Sequence, residues 1–153
     1  MKIASIDKHP IIRSGLSVFL RAHFCDVEML EAECIHSFQE SYKNIIADLI
    51  IIGLAEEAEG IDLIMLKQMI RNNPGAAFVI YAGRPQYDLA ISSMRIGVRG
   101  YLLKSNELDE LVRCMDTVMK GERYLCAEFA NLAIKECLGL VVSDLPQYVL
   151  TEN

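Results

Sequence analysis

The chain has 153 residues, a formal net charge of −6, and 52% hydrophobic and 24% charged residues, which suits one domain with a buried core plus a tail. This acidic balance argues against nucleic-acid binding by the segment itself, because duplex contacts depend on Lys and Arg neutralising phosphates. No apolar run reaches the roughly 18–20 residues of a membrane helix, and Met1 to Asp7 reads as a short strand rather than a signal peptide, so a cytoplasmic location with no membrane partner is expected.

Along the chain the apolar pattern alternates between short runs and helical periods. Ile3 to Ile6 is a strand that stops at Asp7. Pro10 then opens a helix, carried by Ile12, Leu16, Phe19 and Leu20 at i, i+4, i+7 and i+8. Val27 to Leu30 is a weak second strand, followed by a helix over Ser37 to Ile46. Leu49 to Ile52 is the strongest strand, apolar on both faces as a central parallel strand must be. A third helix begins at Ile61 and is ended by Asn73-Pro74-Gly75. Ala77 to Tyr81 is the fourth strand, and Tyr87, Ala90, Ile91 and Met94 give a fourth helix stopped by Gly97.

Gly100 to Lys104 is the fifth strand. The fifth helix carries the stripe Leu108, Leu111, Val112, Met115, Val118 and Met119, with Ser105 or Asn106 as its cap and Gly121 as its stop. Five strands alternating with five helices predict an α/β fold: a doubly wound, five-stranded parallel sheet. A short additional helix is expected over 123–139 and a linker over 140–153. Ligand sites in such sheets lie beyond the carboxyl ends of the strands, where Asp7, Gly53, Tyr81 and Lys104 fall.

The five cysteines form no CxxC pair, the three histidines form no metal motif, and no GxGxxG, P-loop or GxSxG element is present. The cysteines read as small buried hydrophobes. No enzyme, metal or cofactor is expected from these patterns.

Two segments carry a family likeness: His9-Pro10-Ile11-Ile12-Arg13-Ser14-Gly15-Leu16 and Gly97-Val98-Arg99-Gly100-Tyr101-Leu102-Leu103-Lys104. Through them the stretch from Met1 to Glu122 resembles a two-component receiver domain of the NarL/FixJ (LuxR-type) transcription regulators, a (βα)5, flavodoxin-like fold. In that family two acids follow the first strand, a phosphoacceptor aspartate the third, a Thr or Ser the fourth and a Lys the fifth. Here Asp7 and Lys104 match. Lys8 stands for the second acid, Gly53 for the acceptor and Tyr81 for the hydroxyl.

The resemblance therefore implies an atypical receiver, a pseudo-receiver without the nucleophile, in which Mg²⁺ binding is lost or weak. Asp7, Lys8 and Lys104 leave one cation in excess at the rim. Either Glu56 or Glu57 folds back to balance it, or the pocket takes up an anion. Tyr101 matches the family's switch aromatic, and Tyr81 is expected to crowd it into one rotamer. The implied role is a phosphorylation-independent regulatory and dimerisation domain. Pairing is expected through Arg13, Ser17 and Arg21 on the first helix and Asp109, Arg113 and Asp116 on the fifth.

A sensor of a small anionic ligand or a partner protein is the alternative, with Arg84, Arg95 and Arg99 as an acid-binding group. Leu150-Thr151-Glu152-Asn153 is similar to the start of the family's helix-turn-helix domain. DNA binding would then belong to a C-terminal domain outside this chain. A protein that ends at residue 153 is the other reading.

Overall fold

The computed structural model describes residues 1–58 and 60–143. In chain order the elements are β1 (Lys2–Ile6), α1 (Pro10–His23), β2 (Glu28–Ala32), α2 (Ile35–Ser41), β3 (Leu49–Leu54), α3 (Leu63–Asn72), β4 (Ala77–Ala82), α4 (Tyr87–Ile96), β5 (Gly100–Leu103), α5 (Leu108–Met119), β6 (Tyr124–Leu125) and α6 (Ala127–Ser143). The strands form one sheet in the order β2-β1-β3-β4-β5-β6, and every pairing is parallel. No helix among the described residues is long and apolar enough to cross a membrane.

The core sits on β3 and β4. Leu49, Ile50, Ile51 and Ile52 are at most 3% exposed and all of β4 is buried, as parallel strands covered on both faces require. Gly100 of β5 faces α5 so closely that an added methyl would lie 2.8 Å from the Cys114 sulfur and 3.1 Å from Val118 Cγ1. Its neighbour Tyr101 lies edge-on to Phe129 of α6, ring centres 4.1 Å apart. Successive strand residues point to opposite faces, so both faces of β5 are covered.

Six strands replace the expected five. Tyr124 and Leu125 add to the free edge of β5 through Tyr124 N–H to Arg99 O (2.8 Å) and Cys126 N–H to Tyr101 O (3.1 Å). Two residues carry no readable period, so the sequence pattern does not reveal them. α6, expected to be short, has 17 residues and runs from Ala127 across the 139/140 boundary to Ser143. The expected linker lies, over 144–153, outside the described residues.

Helix ends also differ from expectation. α2 starts at Ile35 because Cys34 caps it: the Ser37 N–H donates to the Cys34 sulfur at 3.5 Å, and the Cys34 N–H donates to Ser37 Oγ at 3.2 Å. That is a capping box with a thiol in the place of a hydroxyl. Asn106 does not cap α5. It accepts the Leu103 N–H at 2.8 Å and donates to both Glu128 oxygens, at 3.0 and 3.1 Å, tying the end of β5 to α6. The α5 stripe buries Leu111, Cys114, Met115 and Val118, whereas Leu108 and Met119 are 49% and 42% exposed.

The α5–β6 layer holds three groups in their neutral forms. Burial pushes the Cys114 thiol up to about 12 and the Cys126 thiol up to about 11. Burial, with the bond from Tyr124 to Glu110 (2.9 Å), pushes the Tyr124 hydroxyl up to about 12. The folded chain therefore holds these protons more tightly than the unfolded one. Their contribution is complete below about pH 9 and is lost as the pH rises through 11 to 12. Thermal unfolding should show a steep fall in stability over that window, and Cys126→Ala should remove on the order of 2 kcal/mol of the alkaline loss. An unchanged slope in the variant would contradict this.

Candidate functional site

At the carboxyl end of β1, the Asp7 N–H donates to Ala32 O (3.0 Å), and this fixes an acidic side chain that is only 2% exposed. Lys104 follows β5 and is anchored by its own N–H to Ala82 O (2.8 Å). Their side chains meet across the strand ends: Lys104 Nζ lies 2.8 Å from Asp7 Oδ2. The other carboxylate oxygen accepts the His9 N–H at 2.8 Å, with the His9 ring nitrogen 3.4 Å away. Arg13 donates to the backbone oxygen of Asp7.

Gly53 lies directly beneath this carboxylate. A methyl group at residue 53 would overlap Asp7 Oδ2 and lie 2.6 Å from Cγ and 3.0 Å from Cβ. The Asp7 carboxylate thus fills the volume into which any side chain of residue 53 would project. A single sequence carries no signal for this exchange. One oxygen of Asp7 faces the Lys104 ammonium and the other accepts the His9 N–H, so a cation entering here would meet a positive charge already paired with the carboxylate. The rim does not fit a divalent metal, which needs several hard oxygen ligands.

Lys8 points away from Asp7. Its Nζ lies 2.6 Å from Glu57 Oε1, both side chains being exposed, and this bond holds the Glu57 carboxyl below its ordinary range. Glu56 is exposed and shares the wall of a groove of about 380 Å³ with His9, Glu57, Gly83 and Lys104. On the other side, Lys8, Glu33, Cys34, Gly53 and neighbouring apolar residues line an open groove of about 190 Å³.

The two aromatics lie apart, contrary to the expected crowding. In the β4–β5 register Tyr81 pairs with Leu102, and Tyr101 with Ile80. Paired residues of a parallel sheet share a face, so Tyr81 and Tyr101 point to opposite sides. Tyr81 lines a groove with Ile11, Ile12, Leu16, Phe19 and Leu108. Burial, and then the charge of Asp7, raise its hydroxyl. Tyr101 is fully buried, lies edge-on to Phe129, and has a hydroxyl without a hydrogen-bond partner among the described residues. Burial pushes that hydroxyl far up.

Of the residues expected on a pairing face, Arg21, Asp109, Arg113 and Asp116 are exposed. Ser17 is not: it is 7% exposed, because the inward stripe of α1 is Leu16, Ser17 and Leu20. Arg13 is half-buried, its guanidinium drawn back to Asp7 O and 3.9 Å from Glu31.

The overlap at residue 53 can be measured. Gly53→Ala should cost about 1–3 kcal/mol, as overpacked sites do, by displacing a carboxylate held at both oxygens. In an Asp7→Gly background the same substitution should cost clearly less. Urea unfolding of the four proteins gives the coupling, and equal penalties in both backgrounds would contradict the overlap.

No protein-family model matches the chain. The oxygen regulatory protein NreC of Staphylococcus carnosus is 23% identical over 146 residues, covering 94% of this chain and 66% of the relative. Response regulator GacA of Pseudomonas aeruginosa is 24% identical over 140 residues, covering 88% and 63%. The transcriptional regulatory protein ComA of Bacillus subtilis is 27% identical over 124 residues, covering 79% and 57%. The chain thus spans 57 to 66% of these relatives.

Among solved structures, the isolated REC domain of RcsB from Salmonella enterica serovar Typhimurium, in the presence of the phosphomimetic BeF3-, superposes with a TM-score of 0.74 at 18% identity, covering 86% of this chain and 97% of that one. A LuxR family DNA-binding response regulator from Silicibacter pomeroyi gives 0.68 at 20% identity, covering 84% and 98%. The sequence relatives are a response regulator and two further regulatory proteins, and the fold is that of a receiver domain.

Proposed function

We propose that this chain is a phosphorylation-independent regulatory and dimerisation domain of a LuxR-type transcription regulator, an atypical receiver and not an enzyme. The observation that carries the proposal is the Asp7 carboxylate lying in the volume of the residue-53 side chain and paired to Lys104 at 2.8 Å. A receiver needs at that point a nucleophilic carboxylate and a metal to neutralise the moving phosphoryl group. Here the place is filled by a carboxylate that is buried and paired with Lys104. Glu57 balances Lys8, so the rim holds its charge without Mg²⁺ or a bound anion.

The domain division follows the same reading with one shifted boundary: 1–122 receiver-like, then β6 and an additional helix that runs to Ser143 rather than 139, then a linker toward a helix-turn-helix domain that contacts DNA. The names of its relatives support that reading, as ComA is a transcriptional regulatory protein and RcsB is known as dimers bound to two parallel DNAs. Cytoplasmic location fits such a role. Tyr101, sealed under Phe129, would serve as a fixed core residue rather than a switch.

One observation favours a second reading, a sensor that works through ligands or partner proteins. The groove of about 190 Å³ beside Gly53 is lined by apolar residues together with Lys8 and Glu33, and opening of the exposed Lys8–Glu57 pair would free Lys8 for an anionic ligand.

Sedimentation equilibrium with and without Mg²⁺ plus beryllofluoride tests the proposal. The expected result is a dimer whose association constant is unchanged by the mimic. A monomer driven to dimer by the mimic would overturn it.

A further inference from the structure

The rim opposite Asp7 and Lys104, where the strands begin, holds a polar groove of about 360 Å³. It lies among the turns that lead into β4, β5 and β6, with Asn73, Pro74, Met94, Arg99, Gly121 and Arg123 on its wall. Of the three arginines expected to act together on an acidic ligand, only Arg99 is here. Arg84 sits at the other rim, bonded to Ala58 O at 3.4 Å, and Arg95 is exposed on α4. The second guanidinium of the groove is that of Arg123.

Neither charge is balanced. Among the described residues no carboxylate, that of the adjacent Glu122 included, forms an ion pair with Arg99 or Arg123. Helix ends alone do not account for the two arginines. α3, α4 and α5 do finish at this rim, and the partial negative charge of a helix carboxyl end attracts cations. The ends of α4 and α5 are nevertheless closed by their own backbone: the Val98 N–H donates to Ser93 O (3.0 Å) and the Glu122 N–H to Thr117 O (3.2 Å). Arg99 adds one long bond to Val118 O, at 3.5 Å, which uses one of the five N–H donors of a guanidinium.

We propose that this groove binds a small phosphate monoester. Such a group carries roughly −1.5 to −2 charges at neutral pH and three strong acceptor oxygens. It therefore matches two guanidiniums in charge and in the geometry of their forks, whereas a carboxylate would balance only one. Asn73 turns its side-chain N–H to Met69 O at 2.8 Å, which leaves the amide oxygen to accept from a hydroxyl on the body of the ester. Pro74 and Met94 give that body an apolar wall. An added methyl on Gly121 would meet nothing within 4 Å, so a ligand can come close to the backbone there.

The volume falls in the range of small-ligand clefts, roughly 300–1,000 Å³. A nucleic acid is disfavoured, because its further phosphates would meet the surface of a chain with a net charge of −6. None of the groove residues belongs to the carboxyl rim, so the inference is independent of how that rim works.

Titration of the 153-residue chain with ribose 5-phosphate, in the absence of Mg²⁺, tests it. The arginine side-chain Nε–H resonances are followed by NMR, with inorganic phosphate and then chloride of matching ionic strength as further probes. Arg123→Gln, Arg99→Lys, Lys8→Gln and Arg84→Gln are compared, and the folding of each is checked by circular dichroism. Arg99→Lys keeps the charge and removes the fork. Arg123→Gln changes an exposed turn residue, so the test does not depend on Arg99, which touches the end of α5.

The Arg99 and Arg123 signals should shift together and saturate. Arg123→Gln and Arg99→Lys should each raise Kd at least about tenfold, while Lys8→Gln and Arg84→Gln leave it unchanged. Inorganic phosphate binding as tightly as ribose 5-phosphate would overturn the monoester in favour of the free anion. Shifts that grow linearly and are matched by chloride would overturn the site, as would binding lost in Lys8→Gln and kept in Arg123→Gln. No Mg²⁺ or beryllofluoride is present, so failure here leaves the reading of the carboxyl rim untouched.

Discussion

Everything at the carboxyl rim depends on the ion pair between Asp7 and Lys104. It spans the ends of β1 and β5, with β3 and β4 lying between them in the sheet. A carboxylate taken out of water costs several kcal/mol unless both oxygens are paired and hydrogen-bonded. Asp7 is held by the charge of Lys104 beside one oxygen and by the His9 N–H on the other. Removing either charge would leave its partner uncompensated, a loss of about 3–5 kcal/mol at buried pairs. The pair is therefore a constraint on the fold, and it needs the absent side chain at Gly53 to exist.

The neighbouring substitutions follow from that constraint. A second acid next to Asp7 would repel a carboxylate already committed to Lys104. Lys8 avoids this and finds its own counter-charge in Glu57, out in solvent where such a pair contributes little. Tyr81 occupies the α1-side groove and Tyr101 the opposite face, so neither ring disturbs the pair. Toward the far edge, Phe129 and Asn106 bind α6 to β5.

Much of this architecture was legible in the sequence, because parallel strands and amphipathic helices impose periods that a reader can count. The run Leu49 to Ile52 could only be a central strand, and Pro10 and Gly97 marked helix limits. What escaped had a physical reason in each instance. Tyr124 and Leu125 pair as a strand only because β5 offers an edge. Cys34 caps a helix with a thiol, a residue outside the usual capping set. Ser17 looked exposed because it is polar, yet a small hydroxyl is tolerated in the inward stripe. At the rim, residue types were readable but register was not: the opposite facing of Tyr81 and Tyr101 follows from strand pairing, and the overlap of Asp7 with the residue-53 side chain from geometry alone.

The most direct measurement of the central claim is a nitrogen-15 NMR titration of the chain with Mg²⁺ followed by beryllofluoride. The amides of His9 and Gly53 and the Lys104 ammonium would be followed together. A rim already filled by Asp7 and Lys104 predicts that all three resonances stay where they are. Saturable shifts at His9 and Gly53, with loss of the Lys104 signal of a bound ammonium, would mean that the carboxylate can leave its place and that the rim still accepts metal and phosphoryl.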